Sequence, residues 1–168
     1  IDVTERTRSR QLQEILFNIS RSTSDAHSLR DLLIIVQQQL STLLEAENFF
    51  VALYDEHTGL YSFPHWQDEM ETDEDDWHAQ DLKGSLTDYV RTTGKPLLVD
   101  DAKHKLMYEQ GIVSYEGPFS AVWMGTPLKT RNGVIGVMVI QSYNTQDAYD
   151  LNDLEVLAYL GENIARFI

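Results

Sequence analysis

The feature that most constrains the fold is a pair of strands that is apolar on both faces. Residues 119–143 read FSAVWMGTPLKTRNGVIGVMVIQSY, and Asn132-Gly133 can take the positive backbone angles of a tight hairpin turn. Successive side chains of a strand leave opposite faces of a sheet. In the second strand both alternating sets are apolar: Ile135, Val137 and Val139 on one face, and Val134, Met138 and Ile140 on the other. The sequence therefore predicts a sheet with protein packed against both faces.

A second hairpin is predicted upstream. NFFVALYD and LYSFPHW have the composition of strands, and the EHTG between them contains Gly59, which can take a left-handed conformation. Pro64 lacks the N–H that a strand ladder needs, so it indicates an edge strand or a bulge near Phe63 and His65. Both hairpins favour an antiparallel sheet.

Long helices are predicted on either side of these strands. Apolar residues repeat with helical spacing over residues 28–44 and 151–168, and each stretch opens with a capping pattern, Ser28-x-x-Asp31 or Asp150-x-x-Asp153. Between the hairpins, residues 67–118 contain an acidic loop, a short strand and two short helices. This order predicts an α+β fold with the long helices on one face of the sheet. The middle segment would cover the other face and leave room for a cavity.

Charge and composition exclude several classes of function. The 168 residues carry 13 Lys and Arg against 27 Asp and Glu, and no Lys or Arg lies between Asp31 and Leu82. Such a chain repels nucleic acid and anionic lipid. It contains no cysteine, which removes disulfides, thiolate metal sites and cysteine nucleophiles. No apolar run approaches the ~20 residues of a membrane span. We therefore expect a cytoplasmic protein that contacts neither nucleic acid nor membrane through this segment.

Four segments resemble, in order, those of GAF domains from bacterial sensory kinases and other signalling proteins. They read LLEAENFFVALYDEHTGLYSFPHWQDE, LKGSLTDYVRTTGKPLLVDD, WMGTPLKTRNGVIGVMVIQSY and YDLNDLEVLAYLGENIA. The resemblance assigns residues 28–168 to a GAF-like, PAS-related fold. It implies a central antiparallel sheet of about six strands, with long terminal helices on one face and a roofed ligand pocket on the other.

The first residues carry a second, shorter resemblance. IDVTERTRSRQL is similar to the last strand and exit helix of PAS domains, with Asp2, Thr4 and Glu5 matching an Asp-x-Thr-Glu motif. Residues 1–27 are therefore expected to be the end of a PAS domain and a linker helix. This implies neighbouring PAS and output domains in the same chain, such as a histidine kinase.

A narrow apolar seam on this linker helix predicts a homodimer. Seams of this width usually meet another helix, although the helix could instead lie on its own domain. The predicted interface combines the seam with the outer face of the last helix: Leu12, Ile15, Leu16, Ile19, Leu160, Ile164 and Phe167.

Strand parity and the resemblance together suggest pocket residues. If Trp123 faces the middle segment, the resemblance puts Val139 and Gln141 on the same face. Gln141 is a polar amide among apolar neighbours and needs a ligand, a water or backbone as its partner, unless the strand end lies in solvent. The other candidate walls, each of which could equally be core, are Tyr54, Phe63 and His65 in the first hairpin and Tyr89, Tyr108 and Tyr115 in the middle segment.

Several chemistries known in the family are not expected here. Bilin attachment and the methionine sulfoxide reductase reaction both need cysteine, so neither a covalent bilin nor that activity is implied. The Asn-Lys-Phe-Asp-Glu set of cyclic-nucleotide-binding members cannot be placed on this sequence. His57, His65 and His78 lie among carboxylates, but their spacing fits no metal loop, so no metal is expected. No nucleophile-elbow motif frames a serine, and no catalytic residue is assigned.

The sequence thus predicts a non-enzymatic regulatory module of a bacterial signal-transduction protein. Its function would be to bind an unknown small molecule non-covalently and to relay the change through its terminal helices to an output domain. The alternative is a ligand-free scaffold that holds two chains in register.

Overall fold

The computed structural model describes residues 10, 11, 13–15, 17–19, 21, 28–69, 79–114 and 119–168. Within them one sheet has five strands, rather than about six: β1 (Asn48–Asp55), β2 (Leu60–Gln67), β3 (Leu97–Asp100), β4 (Val122–Thr130) and β5 (Gly133–Ser142). The named helices are α1 (Leu29–Leu40), α2 (Leu86–Thr93), α3 (Asp101–Glu109) and α4 (Leu151–Phe167). The described residues between 10 and 21 are also helical. The predicted α+β class is confirmed.

The sheet joins the two predicted hairpins through their inner strands. Its order is β2-β1-β5-β4-β3, and every neighbouring pair is antiparallel. In the middle of the sheet Phe50 pairs with Val139, which pairs in turn with Gly125. The short strand β3 and the proline-containing strand β2 lie at the two edges of the sheet. An edge position is expected for β2, because Pro64 lacks the N–H that a central strand needs.

Both predicted capping patterns are present. The hydroxyl of Ser28 accepts from the N–H of Asp31 at 3.1 Å at the start of α1. Asp150 and Asp153 form a reciprocal capping box at the start of α4, with both bonds at 2.9 Å. Helix α1 ends at Leu40, earlier than predicted. Among the described helices, none combines the length and apolarity needed to cross a membrane.

One face of the sheet is covered by the long helices. Helices α1 and α4 and the N-terminal helical residues enclose what we call the helix-side core. Its fully buried members from the sheet are large and apolar: Phe49, Val51, Met124, Leu128, Met138 and Ile140. This is the larger of the two cores, and it fixes the sheet against the helices.

The other face is covered by α2, α3 and the loops around them. The buried side chains beneath them form the roof-side core: Phe50, Ala52, Tyr61, Phe63, Leu86, Val90, Val99, Met107, Val113, Trp123, Val137 and Val139. Protein therefore packs against both faces of the central hairpin, as its doubly apolar sequence predicts.

Two irregularities change which face a strand residue meets. The β1–β2 register shifts between Val51 and Leu53, so that Phe63 joins the roof-side core while His65 pairs with Val51 on the helix side. The β4–β5 register shifts beside Leu128. At this point Ile135 packs against the helix-side core. The prediction that it shares a face with Val137 and Val139 is therefore wrong.

The tight turn of the second hairpin also differs from its prediction. Thr130 pairs with Gly133, which puts Arg131 and Asn132 at the centre of the turn. Gly133 has a φ of +116°, whereas no described residue other than glycine has a positive φ. The turn therefore uses the freedom of Gly133 but not that of Asn132.

Several residues of the predicted dimer interface are buried within one chain. Ile15 and Ile19 are buried in the helix-side core, as are Leu160 and Ile164 of α4. These four side chains are already covered by their own chain in this arrangement, and the homodimer itself stays a prediction. Phe167 is partly buried against the same core, whereas Leu12 and Leu16 lie outside the described residues.

Candidate functional site

A cleft of about 240 Å³ lies between the sheet and its roof. Its floor is the end of the sheet where β1 and β4 begin and β2 and β5 end. The lining combines aromatic side chains with polar ones: Phe50, Trp66, Asp68, Gln80, Leu82, Ser85, Leu86, Thr87, His104, Ser114, Ser120, Trp123, Gln141 and Tyr143. This mixture is typical of small-molecule sites, which have apolar walls and a few placed polar groups.

The floor of the cleft is set by Trp123 and Gln141. They are register partners on β4 and β5, and both are nearly buried, with 5% and 9% exposure. The indole of Trp123 lies along its own strand, over Gly125. A Cβ at Gly125 would lie only 2.5 Å from Cη2 of that ring, so the ring can take this place only because the residue is glycine.

A buried carboxylate organises the polar side of the floor. Oδ2 of Asp68 accepts from Nε2 of Gln141 at 3.0 Å and from the hydroxyl of Tyr143 at 2.8 Å. Asp68 follows β2 directly and is 5% exposed. Two donors from the end of β5 thus hold one carboxylate oxygen in place, and the amide of Gln141 finds its partner in a side chain.

The roof contributes the first turn of α2. The hydroxyl of the N-cap Ser85 accepts from the N–H of Asp88 at 3.1 Å, while Leu86 and Thr87 line the cleft. The N–H of Gly84 donates to Oδ2 of Asp88 at 3.3 Å. The carboxylate of Asp88 therefore already lies at the positive end of this helix.

His104 on α3 brings an unusual polar atom to the cleft. Its Nδ1 is buried and has no hydrogen-bond partner in the described part of the chain. Its ring meets that of Phe119 edge-on at 4.6 Å. Burial lowers the pKa of His104, so the ring is neutral near pH 7 and offers a lone pair or an N–H according to its tautomer.

An aromatic wall closes the cleft beside β1 and β2. The ring of Trp66 stacks on that of Phe50 with centroids 4.6 Å apart, and Phe63 meets Trp66 edge-on at 4.9 Å. The bulge in β2 makes this wall possible, because it brings Phe63 and Trp66 to the same face although an odd number of positions separates them.

A polar cluster anchors α2 to the sheet. The hydroxyl of Tyr61 donates to Oδ1 of Asp88 at 2.6 Å and accepts from Nε of Arg91 at 2.7 Å. The Arg91 guanidinium lies 3.7 Å from the centroid of the Tyr54 ring, a cation–π contact. Burial and the bond to Asp88 raise the pKa of Tyr61. The cluster therefore holds α2 at a fixed distance from the sheet.

The fold agrees with a comparison of the chain with known protein families. The family model described as "GAF domain" matches residues 26–168. The chain belongs to the GAF domain family. No protein of curated function matches it.

Solved structures of several other proteins share this fold at low sequence identity. The GAF domain of a phosphoenolpyruvate-protein phosphotransferase from Coxiella burnetii has a TM-score of 0.74 and 16% identity, covering 94% of this chain and 92% of that one. Residues 122 to 287 of a methyl-accepting chemotaxis protein give 0.71 and 14%, covering 89% and 93%. Free methionine-R-sulfoxide reductase from Neisseria meningitidis, in complex with its substrate, gives 0.71 and 14%, covering 93% and 87%.

The GAF domain places the three predicted floor residues on the roof side of the sheet. Trp123 and Gln141 line the cleft, whereas Val139 is fully buried in the roof-side core beneath it. Phe63 also belongs to that core. Tyr54 packs against the core at the Arg91 cluster and does not line the cleft.

His65 lies on the opposite face from its prediction. Its Nε2 is 2.5 Å from Oε1 of Gln37 on α1, and its ring is 5.5 Å from that of Phe49. The prediction assumed unbroken alternation from Phe63, and the bulge at Pro64 reverses it. His65 is therefore not a cleft wall.

The predicted roof aromatics do not line the cleft either. Tyr89 is partly buried beside Leu97, at a separate depression, and Tyr108 is 49% exposed on α3. Tyr115 lies outside the described residues. The first turn of α2 and His104 take their place.

Sequence reasoning missed Asp68 and Ser85 as cleft residues for different reasons. Asp68 meets Gln141 across 73 positions, and the sequence shows it only as the start of an acidic loop. Ser85 was recognisable as a helix cap, and capping is what brings it to the cleft. Within the described part of the GAF domain, no three histidine or carboxylate side chains are arranged to hold a metal ion.

Proposed function

We propose that this GAF domain is a regulatory sensory module that binds a small ligand non-covalently in the cleft. The supporting observation is that the cleft floor and the helix-side core use the two faces of the same strands. Trp123 and Gln141 face the cleft, while their neighbours Met124 and Ile140 lie in the core that α4 covers. A ligand that repositions the floor must therefore disturb the packing under α4.

Close packing of α4 on β4 supports this route. A Cβ at Gly161 of α4 would lie 2.9 Å from Cγ2 of Thr126 on β4, so the side chain of Thr126 packs directly against the helix at this glycine. Packed cores respond to small shifts by changing between discrete arrangements rather than by deforming smoothly. The terminal helices would then carry the change out of the domain.

The chemistry of the cleft favours binding over catalysis. The chain has no cysteine, so thiol chemistry is not open to it. Nδ1 of His104 makes no hydrogen bond to any described serine or threonine, so no activated nucleophile is assembled there. The reductase from Neisseria meningitidis was solved with its substrate, and the chemotaxis protein belongs to signalling. Ligand sensing is the role that combines these facts.

The wider setting is part of the same proposal. We infer that the module works in the cytoplasm of a bacterium, between an upstream PAS domain and an output domain such as a histidine kinase. The resemblance of the first residues to a PAS exit helix and the likeness to a chemotaxis protein support this setting.

Native mass spectrometry of the protein purified without denaturation tests ligand binding. We expect a retained small molecule that is lost in Trp123→Leu and kept in Tyr159→Ala, whose side chain is 52% exposed on α4. Hydrogen exchange in α4 should slow when the molecule is restored. The proposal fails if the wild-type protein is empty and no fraction of a metabolite extract raises its melting temperature.

A second function, that of a ligand-free dimerisation scaffold, is favoured by exposed apolar side chains on the helix layer. Tyr159 and Ile168 of the C-terminal region are 52% and 48% exposed. They, rather than the buried Leu160 and Ile164, would face a second copy. Sedimentation analysis of Tyr159→Asp distinguishes the two functions, because a scaffold would become monomeric while ligand binding in the cleft would persist.

A further inference from the structure

Two buried hydroxyl groups line the cleft without a partner. Thr87, in the first turn of α2, is 5% exposed, and Ser120, just before β4, is 4% exposed. Both side chains line the cleft, and neither hydroxyl makes a hydrogen bond within the described part of the chain. Buried polar groups are normally bonded to protein or to an ordered molecule such as water. These two hydroxyls are therefore available to a molecule in the cleft.

The oxygen atoms of both hydroxyls keep access to the cleft. Among the residues that the structure describes, Nδ1 of His104 is the one fully covered side-chain nitrogen or oxygen that lacks a partner. The hydroxyl oxygens of Thr87 and Ser120 also lack one, so they are not fully covered. The space that both side chains border is the cleft. A molecule there can reach them without breaking a hydrogen bond between described residues.

His104 adds a third neutral group to the same lining. Burial lowers the pKa of His104, so its ring is uncharged near pH 7. A neutral imidazole donates through one nitrogen and accepts through the other. Because Nδ1 is covered, a ligand can use it only after a small rotation of the ring. We therefore treat His104 as a secondary contact.

The chemistry of these groups favours an uncharged ligand that carries hydroxyls. A hydroxyl both donates and accepts, whereas a carboxylate only accepts and an ammonium only donates. A charge taken out of water also needs a charged partner. The described lining contains no Lys or Arg, and Oδ2 of Asp68 already accepts from Gln141 and Tyr143. The hydroxyls of Thr87 and Ser120 match ligand hydroxyls in either direction.

The volume limits the ligand to a small molecule. About 240 Å³ lies below the roughly 300–1,000 Å³ of clefts that hold drug-sized ligands, and it equals about eight water molecules at ~30 Å³ each. The aromatic side chains of the lining, Phe50, Trp66 and Trp123, supply apolar walls for a carbon skeleton. A single sugar ring or a shorter polyol combines this size with several hydroxyls.

We propose that the cleft is selective for a small uncharged polyol, up to the size of one sugar ring, which the hydroxyls of Thr87 and Ser120 bind directly. This inference rests on the proposed sensory function and names the chemical class of its ligand. It accounts for two buried hydroxyls that no group in the described part of the chain satisfies.

Calorimetric titration with matched probes tests the ligand class. The uncharged polyols are glycerol, ribose, glucose and myo-inositol. Cyclohexanol carries one hydroxyl on a six-membered ring, while glucuronate and glucosamine add a charge to the glucose frame. We expect at least one polyol to bind about tenfold or more tightly than cyclohexanol, because cyclohexanol cannot bond both hydroxyls through separate groups. Failure of all four polyols to bind, or tighter binding of cyclohexanol or of a charged sugar, would overturn the proposal.

Substitutions of similar shape locate the contacts. Thr87→Val and Ser120→Ala each remove one hydroxyl, so each should weaken binding of the polyol by about three- to tenfold. Thr92→Val makes the same change at an exposed position on α2, where the hydroxyl donates to the carbonyl of Tyr89, and it should leave the affinity unchanged. An unaltered affinity in Thr87→Val or in Ser120→Ala would overturn the assignment of that hydroxyl.

The melting temperature of the ligand-free protein gives a second readout. Neither Thr87→Val nor Ser120→Ala breaks a hydrogen bond within the described part of the chain, so the melting temperature should not fall. Weaker binding without a loss of stability is the expected result for groups that serve a ligand rather than the fold. A fall of several degrees in either variant would show that its hydroxyl has a structural role and would overturn the assignment.

The outcomes also separate this inference from the proposed function. A retained charged or apolar molecule in native mass spectra, together with no polyol binding, would reject the polyol and leave the sensory module intact. An empty protein that binds no probe and no metabolite would reject both.

Discussion

The two faces of the sheet are built from the same strands but differ in what they bury. On the helix side, apolar side chains such as Phe49, Met138 and Leu128 are fully buried under long, well-capped helices. On the roof side, an apolar core of similar composition ends in a cleft where Asp68 and Gln141 replace aliphatic residues. The alternating pattern of one strand thus encodes one face that packs under long helices and one face that ends in a cleft.

The difference between the two covering layers shows on which face of the sheet a cavity can form. Long helices present continuous apolar stripes and leave little space above a sheet. The roof helices have eight and nine residues, and only their ends and a few side chains reach the floor. A cavity is therefore expected on the face that short elements cover. The predictions below test this contrast, beginning with the largest effect.

Adjacent phenylalanines on β1 give the most direct test. Phe49 is fully buried in the helix-side core, whereas Phe50 lines the cleft. Phe49→Ala should lower the free energy of unfolding by about 3–5 kcal/mol, the usual cost of such a cavity. Phe50→Ala should cost at least about 1 kcal/mol less, because ring atoms that face the cleft have fewer packing partners to lose. Urea unfolding followed by circular dichroism measures both.

An equal cost for the two substitutions would contradict the contrast between the faces. It would mean that Phe50 is packed as completely as Phe49 and that the cleft is absent in solution. Should Phe49→Ala be too unstable to purify, Phe49→Leu and Phe50→Leu give the same comparison at lower cost.

Two strand glycines provide the next largest effect. A Cβ at Gly136 of β5 would lie 2.4 Å from the carbonyl oxygen of Ala52, which is backbone and cannot yield. Gly136→Ala should therefore destabilise the protein by about 1–3 kcal/mol or more. The three atoms nearest to a Cβ at Gly125 all belong to the indole of Trp123, a side chain that can move. Gly125→Ala should cost less and shift the tryptophan fluorescence as the ring leaves the floor.

The double variant sharpens this prediction. Replacing Trp123 by Leu removes the ring that Gly125→Ala would strike, so the two substitutions together should be less destabilising than the sum of their separate costs. Strict additivity would show that the indole does not lie over Gly125.

Local sequence signals predicted the elements well. The strands and caps depend on neighbouring residues, as in the reciprocal box of Asp150 and Asp153, and these were correct. Pro64 even marked the bulge in β2. The sequence could not show on which side of Pro64 the extra residue would fall. The alternation of side chains along the strand therefore predicted the face of Phe63 correctly and that of His65 wrongly.

The cleft itself was less predictable, because long-range contacts create it. Trp123 and Gln141 were identified from the parity of one hairpin, but the partner of Gln141 comes from Asp68, 73 positions away. Helix α3 has a weak apolar stripe, since Met107 is its one buried residue, so its periodicity could not show that His104 rather than Tyr108 turns inward.

Removing a helix cap should cost a similar free energy of unfolding on either side of the sheet, but it should affect the local order of different helices. Asp150→Ala and Ser85→Ala should each lower stability by about 1 kcal/mol, because each leaves an N-terminal N–H of a helix unpaired. Only Ser85→Ala should speed hydrogen exchange in the first turn of α2, which lines the cleft. Faster exchange there in Asp150→Ala, with α4 unaffected, would show that the roof depends on the helix layer for its order.

The smallest effect concerns His65 on the helix side. Burial and the nearby charge of Arg30 lower the pKa of His65 to about 4, against about 6.5 in an unfolded chain. As the pH falls from about 6.5 to about 4, the unfolded chain binds a proton that the folded chain does not, so this group reduces stability throughout that window. Below pH 4 both states are protonated and its contribution levels off. His65→Gln should therefore lose less stability than the wild type between pH 6.5 and 4, with solvent screening keeping the difference small. NMR titration gives the direct measurement, and an imidazole signal of His65 that titrates near pH 6.5 would mean that β2 does not hold this ring against Gln37 and Phe49.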